Sequence, residues 1–229
     1  MLIFICKRKI KYILILTIFI VGGFLTQMGP LYYQQIKTVT ASGKIIIVID
    51  AGHGGRDPGA VAGDVYEKNI NLDIAKRLEK LLKQKGYRVI MTRTKDVNLV
   101  NWKDNGSYQR ASLWQRAQLS KEKNAKLLIS IHCNSDRNKV FYGPQTFYHP
   151  QSNSGKRLAQ SIQEELIQVR DTRRQAIPGD YYLLNNTSCI TVIVELGYLS
   201  NVKDRSMLCL PDYQQKFAQA ITRGISKVN

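Results

Sequence analysis

The apolar residues of the chain fall into short continuous runs separated by longer segments with helical spacing. The runs at residues 45–49 and 191–194 are typical of strands buried on both faces of a mainly parallel sheet, and residues 127–133 predict a third strand. Between the first two runs, apolar residues recur on one helical face from 70 to 82, and Gly86 stands where a helix C-cap belongs. The pattern therefore predicts strands that alternate with amphipathic helices.

The rest of the pattern predicts an α/β fold in one domain. Further strands are expected at residues 87–92 and 145–148, and further helices at 108–123, 154–169 and 211–225. Strands that alternate with helices require right-handed crossovers, which place helices on both faces of a mainly parallel, twisted sheet. We assign residues 44–229 to this single domain, and residues 30–43, which are polar and lack periodicity, to a linker.

Residues 1–29 have the form of an export signal. Lys7, Arg8, Lys9 and Lys11 precede an uncharged run at 12–25. Positive charge stays on the cytoplasmic side, so the remainder of the chain is expected outside the cytoplasm. At about 1.5 Å per residue the run is shorter than the roughly 30 Å hydrocarbon core, which favours a cleaved signal peptide. No small-x-small site closes the run, which favours an uncleaved membrane anchor, and both alternatives stay open.

The chain is strongly basic, with 34 Lys and Arg against 17 Asp and Glu and a net charge of +17. Such an excess favours polyanionic surroundings, which include nucleic acid, anionic lipid and a cell wall that carries carboxylates or phosphates. Export removes nucleic acid from this set, so no nucleic-acid partner is expected. Arg170, Arg173 and Arg174 form a basic patch before Pro178 that would suit an anionic wall.

The four cysteines say little about function. Cys6 precedes the apolar run, and Cys133, Cys189 and Cys209 show no C-x-x-C spacing. We predict buried thiols that pack as small hydrophobic residues, although a disulfide is possible and no pairing can be assigned. Cys133 should face away from its strand neighbour His132 and into the core.

Two histidines and a glutamate are candidate metal ligands. Functional groups gather at the carboxyl ends of parallel strands, and three strong strands end near His53, His132 and Glu195. Glu67 opens the first helix, where the helix dipole favours a carboxylate. Two imidazoles and one carboxylate are the ligand set of a catalytic zinc site, which keeps its fourth position for water.

Glu195 is the candidate acid–base. It follows the apolar run at 191–194, where burial raises the pKa of a carboxyl toward neutrality and suits it to proton transfer. Each candidate has a plainer alternative, since a histidine beside glycine is commonly a loop residue and a glutamate at a helix start commonly compensates the dipole. A carboxylate after an apolar strand is harder to explain structurally, because burying an unpaired charge is costly. Taken together, the four residues favour a catalytic site.

Five motifs resemble those of the zinc N-acetylmuramoyl-L-alanine amidases, in the order that the family has them. They are Asp-Ala-Gly-His-Gly-Gly-Arg-Asp-Pro-Gly-Ala at 50–60, Glu-Lys at 67–68, Met-Thr-Arg at 91–93, Ser-Ile-His-Cys-Asn at 130–134 and Val-Glu-Leu-Gly-Tyr-Leu-Ser-Asn at 194–201. The chain departs from the family pattern in two segments: Cys189 and Ile190 stand where many relatives have a proline before the last strand, and Tyr198 replaces a common phenylalanine.

The resemblance implies that His53, Glu67 and His132 bind Zn²⁺ and that Glu195 is the catalytic acid–base. It implies cleavage of the amide between the lactyl group of N-acetylmuramic acid and L-alanine in peptidoglycan. One catalytic domain behind a hydrophobic segment most resembles the spore-cortex, germination-specific branch, in which removal of the stem peptide precedes muramic δ-lactam formation. Residues 135–144 are too few for the helix that blocks the site in regulated division amidases, so we expect an open groove, with regulation, if any, by expression or a protein partner.

Two other functions are alternatives to the amidase. A zinc peptidase acting on the stem peptide needs the same site chemistry, and a non-catalytic wall-binding protein could keep the fold. The complete set of four residues speaks against the second alternative. The candidates for substrate binding are Arg93, which ends a strand on the side of the site, and Asn134, which follows His132.

Overall fold

A six-stranded sheet is the framework of the structure, a computed structural model that describes residues 44–100 and 108–228. The strands are β1 Ile46–Ala51, β2 Val61–Ala62, β3 Val65–Tyr66, β4 Arg88–Met91, β5 Leu127–Asn134, β6 Gln145–Tyr148, β7 Ile177–Pro178 and β8 Ile190–Tyr198. The helices are α1 Glu67–Gln84, α2 Tyr108–Glu122, α3 Asn153–Ile167, α4 Tyr182–Asn186, α5 Val202–Leu208 and α6 Pro211–Val228.

The sheet is mainly parallel, as the sequence predicts. Its order is β4-β1-β5-β8-β6-β7, and β2 pairs with β3 in a separate two-stranded ribbon. Strands β4, β1, β5 and β8 run parallel, whereas β6 runs antiparallel to β8 and pairs in parallel with β7. The carboxyl ends of β1, β5 and β8 therefore lie side by side at one edge of the sheet.

Helices cover both faces of the sheet, and this confirms the predicted α/β architecture. Ile47 and Ile49 of β1 face the larger core cluster, which also contains the apolar faces of α1, α3 and α6. Val48, between them, faces a smaller cluster with α2 and Leu183 of α4. Alternate residues of each central strand are thus buried against different helices, which is why these strands read as continuous apolar runs.

Helix ends agree with the local sequence signals. Helix α1 ends at Gln84, and Gly86 follows with a φ of 89°, a left-handed conformation that glycine adopts without strain. Helix α3 begins after Ser152, whose hydroxyl accepts a hydrogen bond from the Gly155 amide. Helix α6 begins at Pro211 as predicted but continues to Val228, three residues beyond the predicted end.

The cysteine prediction is confirmed for Cys133 and wrong for Cys209. Cys133 is buried in the larger core cluster, Cys189 is half-buried and Cys209 is exposed, and all three are free thiols. Cys209 follows α5 at a turn on the surface, where the sequence offers no apolar periodicity to bury it. Cys6 lies outside the described residues.

Within the described part of the chain, no helix is long and apolar enough to cross a membrane. The predicted export signal at residues 1–29 and the linker at 30–43 lie outside that part.

Candidate active site

The predicted chemical groups meet at the carboxyl edge of the central strands. In the register of β5 and β8, His132 stands opposite Glu195. The chain leaves β1 through Gly52, whose amide donates to the Ile131 carbonyl at 3.0 Å, and His53 follows. Glu67 enters as the first residue of α1. The sheet and one helix therefore bring together groups that are far apart in sequence.

His53, Glu67 and His132 form a group that can bind a metal ion. Each offers one ligand atom, and these atoms all lie within 4.8 Å of one another. Glu67 Oε1 lies 3.2 Å from His53 Nε2 and 3.0 Å from His132 Nδ1. Bonds of about 2.0–2.1 Å in a tetrahedral zinc site hold the ligand atoms roughly 3.3 Å apart, so the donors and their spacing fit such an ion.

A short loop aims His53 at this group. His53 adopts a φ of 63°, which is uncommon for a residue with a side chain. Gly54 and Asp57 exchange backbone hydrogen bonds of 2.9 and 3.2 Å that close the loop. Asp57 Oδ2 lies 2.8 Å from His53 Nδ1, which leaves Nε2 for the metal group. Burial lowers the pKa of His53, but its hydrogen bonds to Asp57 and Glu67 outweigh burial and raise that pKa to about 9.

Glu67 is fixed by donors on every side. Oε1 accepts hydrogen bonds of 3.0 Å from the Cys133 amide and from the Asn71 side chain, and Oε2 accepts one of 2.8 Å from the Ala60 amide. Burial raises the pKa of this carboxyl, and the two imidazoles lower it far more, so the group is ionised. Such preorganisation holds a ligand in place before a metal arrives.

Glu195 differs from Glu67 because one of its carboxylate oxygens is left without a partner. The residue is 9% exposed, and its Oε2 atom has no hydrogen-bond partner among residues 44–100 and 108–228. Burial is the main influence on its pKa and raises it to about 7, while the neighbouring His132 lowers it. A buried polar atom with no partner is rare and calls for a ligand, a solvent molecule or a catalytic role.

Several known proteins that resemble this chain are amidases, which is consistent with the geometry of the site. The family described as N-acetylmuramoyl-L-alanine amidase matches residues 47–227. The chain belongs to this amidase family. It is 36% identical over 226 residues to the germination-specific N-acetylmuramoyl-L-alanine amidase of Bacillus subtilis, a match covering 96% of this chain and 94% of that protein.

Solved amidase structures share the fold. The CwlD amidase from Clostridioides difficile, determined in complex with the GerS lipoprotein, superposes with a TM-score of 0.77 at 37% identity over 81% of this chain and 98% of that one. The catalytic domain of CwlV from Bacillus (Paenibacillus) polymyxa superposes with a TM-score of 0.70 at 31% identity, covering 80% of this chain and 97% of that one.

Arg93 does not fit the role of a substrate-binding residue in this amidase. It is 3% exposed, and its guanidinium donates to the backbone carbonyls of Ala51, Gly52 and Lys68 at 2.9, 2.9 and 2.7 Å. Its position at a strand end suggested a partner carboxylate, but the guanidinium instead satisfies the loop that carries His53. Arg93 thus stabilises the backbone of the loop that positions His53.

Asn134 stays a candidate for substrate binding. It is half-buried at the end of β5, two residues after His132. Its carbonyl accepts from the Leu199 amide at 2.8 Å, and its Oδ1 accepts from the Ser135 amide at 2.8 Å. Among residues 44–100 and 108–228, its side-chain NH₂ group donates no hydrogen bond to the protein.

Sequence reasoning missed three supporting residues. Asp57 orients His53, Asn71 donates to Glu67, and Arg116 of α2 forms a buried ion pair with Asp50 while donating to the His53 carbonyl at 2.8 Å. Asp57 carried a usable signal, because a carboxylate beside a ligand histidine commonly fixes its tautomer. Arg116 carried none, since only the packing of α2 on β1 brings it to the site.

Proposed function

We propose that this chain is a zinc-dependent peptidoglycan amidase that cuts the bond between the lactyl group of N-acetylmuramic acid and L-alanine. The observation that carries the proposal is that the ligand atoms of His53, Glu67 and His132 lie within 4.8 Å of one another. Glu195 lies opposite His132 on the adjoining strand, and its buried Oε2 atom has no hydrogen-bond partner in the described part of the chain. Membership of the amidase family over residues 47–227 indicates which bond is cleaved.

His53, Glu67 and His132 would hold the zinc ion in this proposal. The bound ion would supply a Lewis acid for the amide carbonyl and would lower the pKa of a water to about 7. Asp57 keeps a proton on His53 Nδ1, so that Nε2 faces the ion. The amides of Ala60 and Cys133 keep Glu67 ionised and oriented.

Glu195 would move the protons. With a pKa raised to about 7, its carboxylate is basic enough to take a proton from the attacking water and acidic enough to return it to the L-alanine nitrogen as the amide breaks. Glu67 cannot share this work, because its pKa is lowered and its oxygens are occupied by donors. The two carboxylates thus have different roles because their surroundings differ.

Mass spectrometry of digested muropeptides tests the reaction. Purified peptidoglycan incubated with the zinc-loaded protein should release peptides with a new amino group on L-alanine and leave intact lactyl groups on the glycan. Glu195→Gln protein is the matched control and should release these peptides at least about 100-fold more slowly. Cuts between amino acids would instead identify a stem-peptide peptidase, and intact peptidoglycan would point to a non-catalytic wall-binding protein.

We further propose that the enzyme acts on spore cortex. The similarity to the germination-specific amidase of Bacillus subtilis extends over nearly the whole of both chains and supports this role. Cortex from spores that lack the protein should contain no muramic δ-lactam, and expression of the wild-type chain should restore it. Restoration by Glu195→Gln protein, or normal δ-lactam without the gene, would contradict the role.

Residues 1–29 would either anchor the enzyme on the extracytoplasmic side of the membrane or direct its secretion. A second protein would regulate its activity. The basic residues before the apolar run support export, and the structure of CwlD with a lipoprotein supports a protein partner. Fractionation of cells distinguishes the locations, since an uncleaved anchor keeps the full-length protein with membranes after a salt wash. Full activity of purified, zinc-loaded protein alone would argue against an obligatory partner.

A further inference from the structure

The three arginines before Pro178 have different environments. Arg173 is exposed, and Arg170 donates through Nε to Asp204 at 2.9 Å. Arg174 contacts only neutral acceptors: Nε donates to the Tyr142 carbonyl at 3.0 Å and Nη1 to Gln145 Oε1 at 2.8 Å. Within residues 44–100 and 108–228, Arg174 forms no ion pair and its Nη2 atom has no hydrogen-bond partner.

Aromatic rings hold the Arg174 guanidinium in place. Its central carbon lies 4.7 Å from the centre of the Tyr198 ring and 5.5 Å from that of Phe141. Guanidinium groups that stack on aromatic faces keep their N–H groups pointing outward in a fixed plane. The side chain is therefore oriented before any ligand binds, with Nη2 and the second hydrogen of Nη1 free to donate.

Arg174 stands beside the catalytic carboxylate. Its partner Gln145 is the residue of β6 directly opposite Glu195 of β8. Side chains opposite each other on antiparallel strands point to the same face about 5 Å apart. The positive charge of Arg174 thus lies on the order of 10 Å from Glu195, one strand further from His132. Tyr198 supports this placement, because its ring lies 4.7 Å from the Arg174 guanidinium and it ends β8, three residues after Glu195.

The stem peptide offers an anion at a matching distance. In peptidoglycan the residue after L-alanine is D-glutamate linked through its side-chain carboxyl, which leaves its α-carboxylate free. Two residues of extended chain span about 7 Å, so this carboxylate lies about 7 Å from the scissile amide. Resting on the amidase function proposed above, we propose that Arg174 binds the α-carboxylate of the second stem-peptide residue and thereby aligns the amide with Glu195.

A guanidinium suits this ligand better than an ammonium does. Its planar N–H groups donate two parallel hydrogen bonds to one carboxylate, which fixes direction as well as charge. The uncompensated charge of Arg174 would gain a counterion on binding, whereas Arg170 already has Asp204. An amidated α-carboxyl, as in D-isoglutamine, keeps the shape of the ligand but removes its charge.

Steady-state kinetics on two soluble muropeptides tests the proposal. One carries D-glutamate and the other D-isoglutamine at the second position, and the full-length, zinc-loaded wild type is compared with Arg174→Gln and Arg173→Gln. Wild type should prefer the free carboxylate roughly 10- to 100-fold in kcat/KM, mainly through KM, as charged hydrogen bonds predict. Arg174→Gln should lose that preference, because its KM for the D-glutamate substrate should rise to that for the D-isoglutamine substrate, and Arg173→Gln should behave as wild type.

The outcomes separate this proposal from the one on which it rests. Cleavage of neither muropeptide by wild type would refute the amidase function itself. Equal wild-type kinetics on both muropeptides, or an Arg174→Gln variant that keeps the preference, would overturn the Arg174 subsite alone. An Arg174→Gln variant that loses kcat equally on both muropeptides would show a structural role and would likewise overturn the subsite.

Discussion

Individual residues of this site are tuned by what surrounds them. Glu67 and Glu195 are the same residue type, yet three donors occupy Glu67 whereas Oε2 of Glu195 has none. The sequence could predict both as functional, because each stands at the end of a recognisable element. Asp57, four residues after His53, carried a signal that was missed, but the contact with His53 Nδ1 itself depends on the left-handed backbone of His53.

Replacing Glu195 should lower the turnover of the enzyme and raise its free energy of unfolding. The residue is a buried acid with a raised pKa, so the cost of its charge is absent below its ordinary pKa of 4.5 and complete above about 7. Glu195→Gln should lower turnover by about 10²- to 10⁴-fold. At pH 8 the metal-free variant should unfold with a free energy higher by up to about 3 kcal/mol, and the gain should vanish in acid.

Chemical denaturation at several pH values, with muropeptide turnover measured alongside, checks both changes. Glu164→Gln provides the control, because Glu164 is exposed and its removal should change neither quantity. A Glu195→Gln protein that keeps wild-type turnover would show that another group transfers the proton.

Asp57 should govern metal affinity without binding the ion. Asp57→Asn retains the size of the side chain but weakens its hold on His53 Nδ1, and loss of such support typically costs 10- to 100-fold in metal affinity. Competition with a chromophoric chelator measures the zinc dissociation constant. Asp64→Asn, an exposed change on the neighbouring turn, should leave that constant unaltered. Equal zinc affinities for the two variants would show that Asp57 does not affect metal binding.

At the scale of elements, the long apolar strands and amphipathic helices were predictable and the short pieces were not. Strands β2, β3 and β7 have two residues each, and α4 has five, so no periodicity marks them. Tertiary contacts decide such pieces. Gly224 inside α6 shows the same limit: a β-carbon there would lie 2.6 Å from Ile162 Cα, so close helix packing explains a residue that helix propensity disfavours.

The ion pair that joins α2 to β1 should be essential for folding stability. Burial raises the pKa of Asp50, but Arg116 and two hydroxyl donors lower it below 3.8 overall. Arg116→Ala would leave that carboxylate buried and uncompensated, at a cost of about 3–5 kcal/mol near neutral pH. The pair contributes above pH 3.8, and its contribution is lost as the pH falls through the folded pKa, so the variant and wild type should converge in acid.

Urea unfolding of the Arg116→Ala protein measures this cost. Lys121→Ala, at an exposed position of the same helix, controls for the loss of a positive charge. An Arg116→Ala protein as stable as wild type at pH 7 would mean that Asp50 is solvated or protonated in the fold.

For the whole molecule, the net charge of +17 should act on wall binding and little on chemistry. Long-range attraction to an anionic wall is screened by salt, since the Debye length falls to about 3 Å at 1 M. Retention on purified peptidoglycan should therefore weaken as salt rises from about 0.05 M to about 0.5 M, while turnover of a small soluble muropeptide changes much less. Salt-independent retention would assign wall binding to specific contacts instead.

The central claim is that hydrolysis depends on one metal ion held by His53, Glu67 and His132 beside Glu195. Titrating zinc into metal-free protein while recording the rate of L-alanine amine release tests it most directly. The account predicts a rate that rises linearly to one bound zinc per chain and then stays constant, and a His132→Ala protein that neither binds the ion tightly nor turns over. A metal-free wild type that cleaves at the full rate would contradict the account.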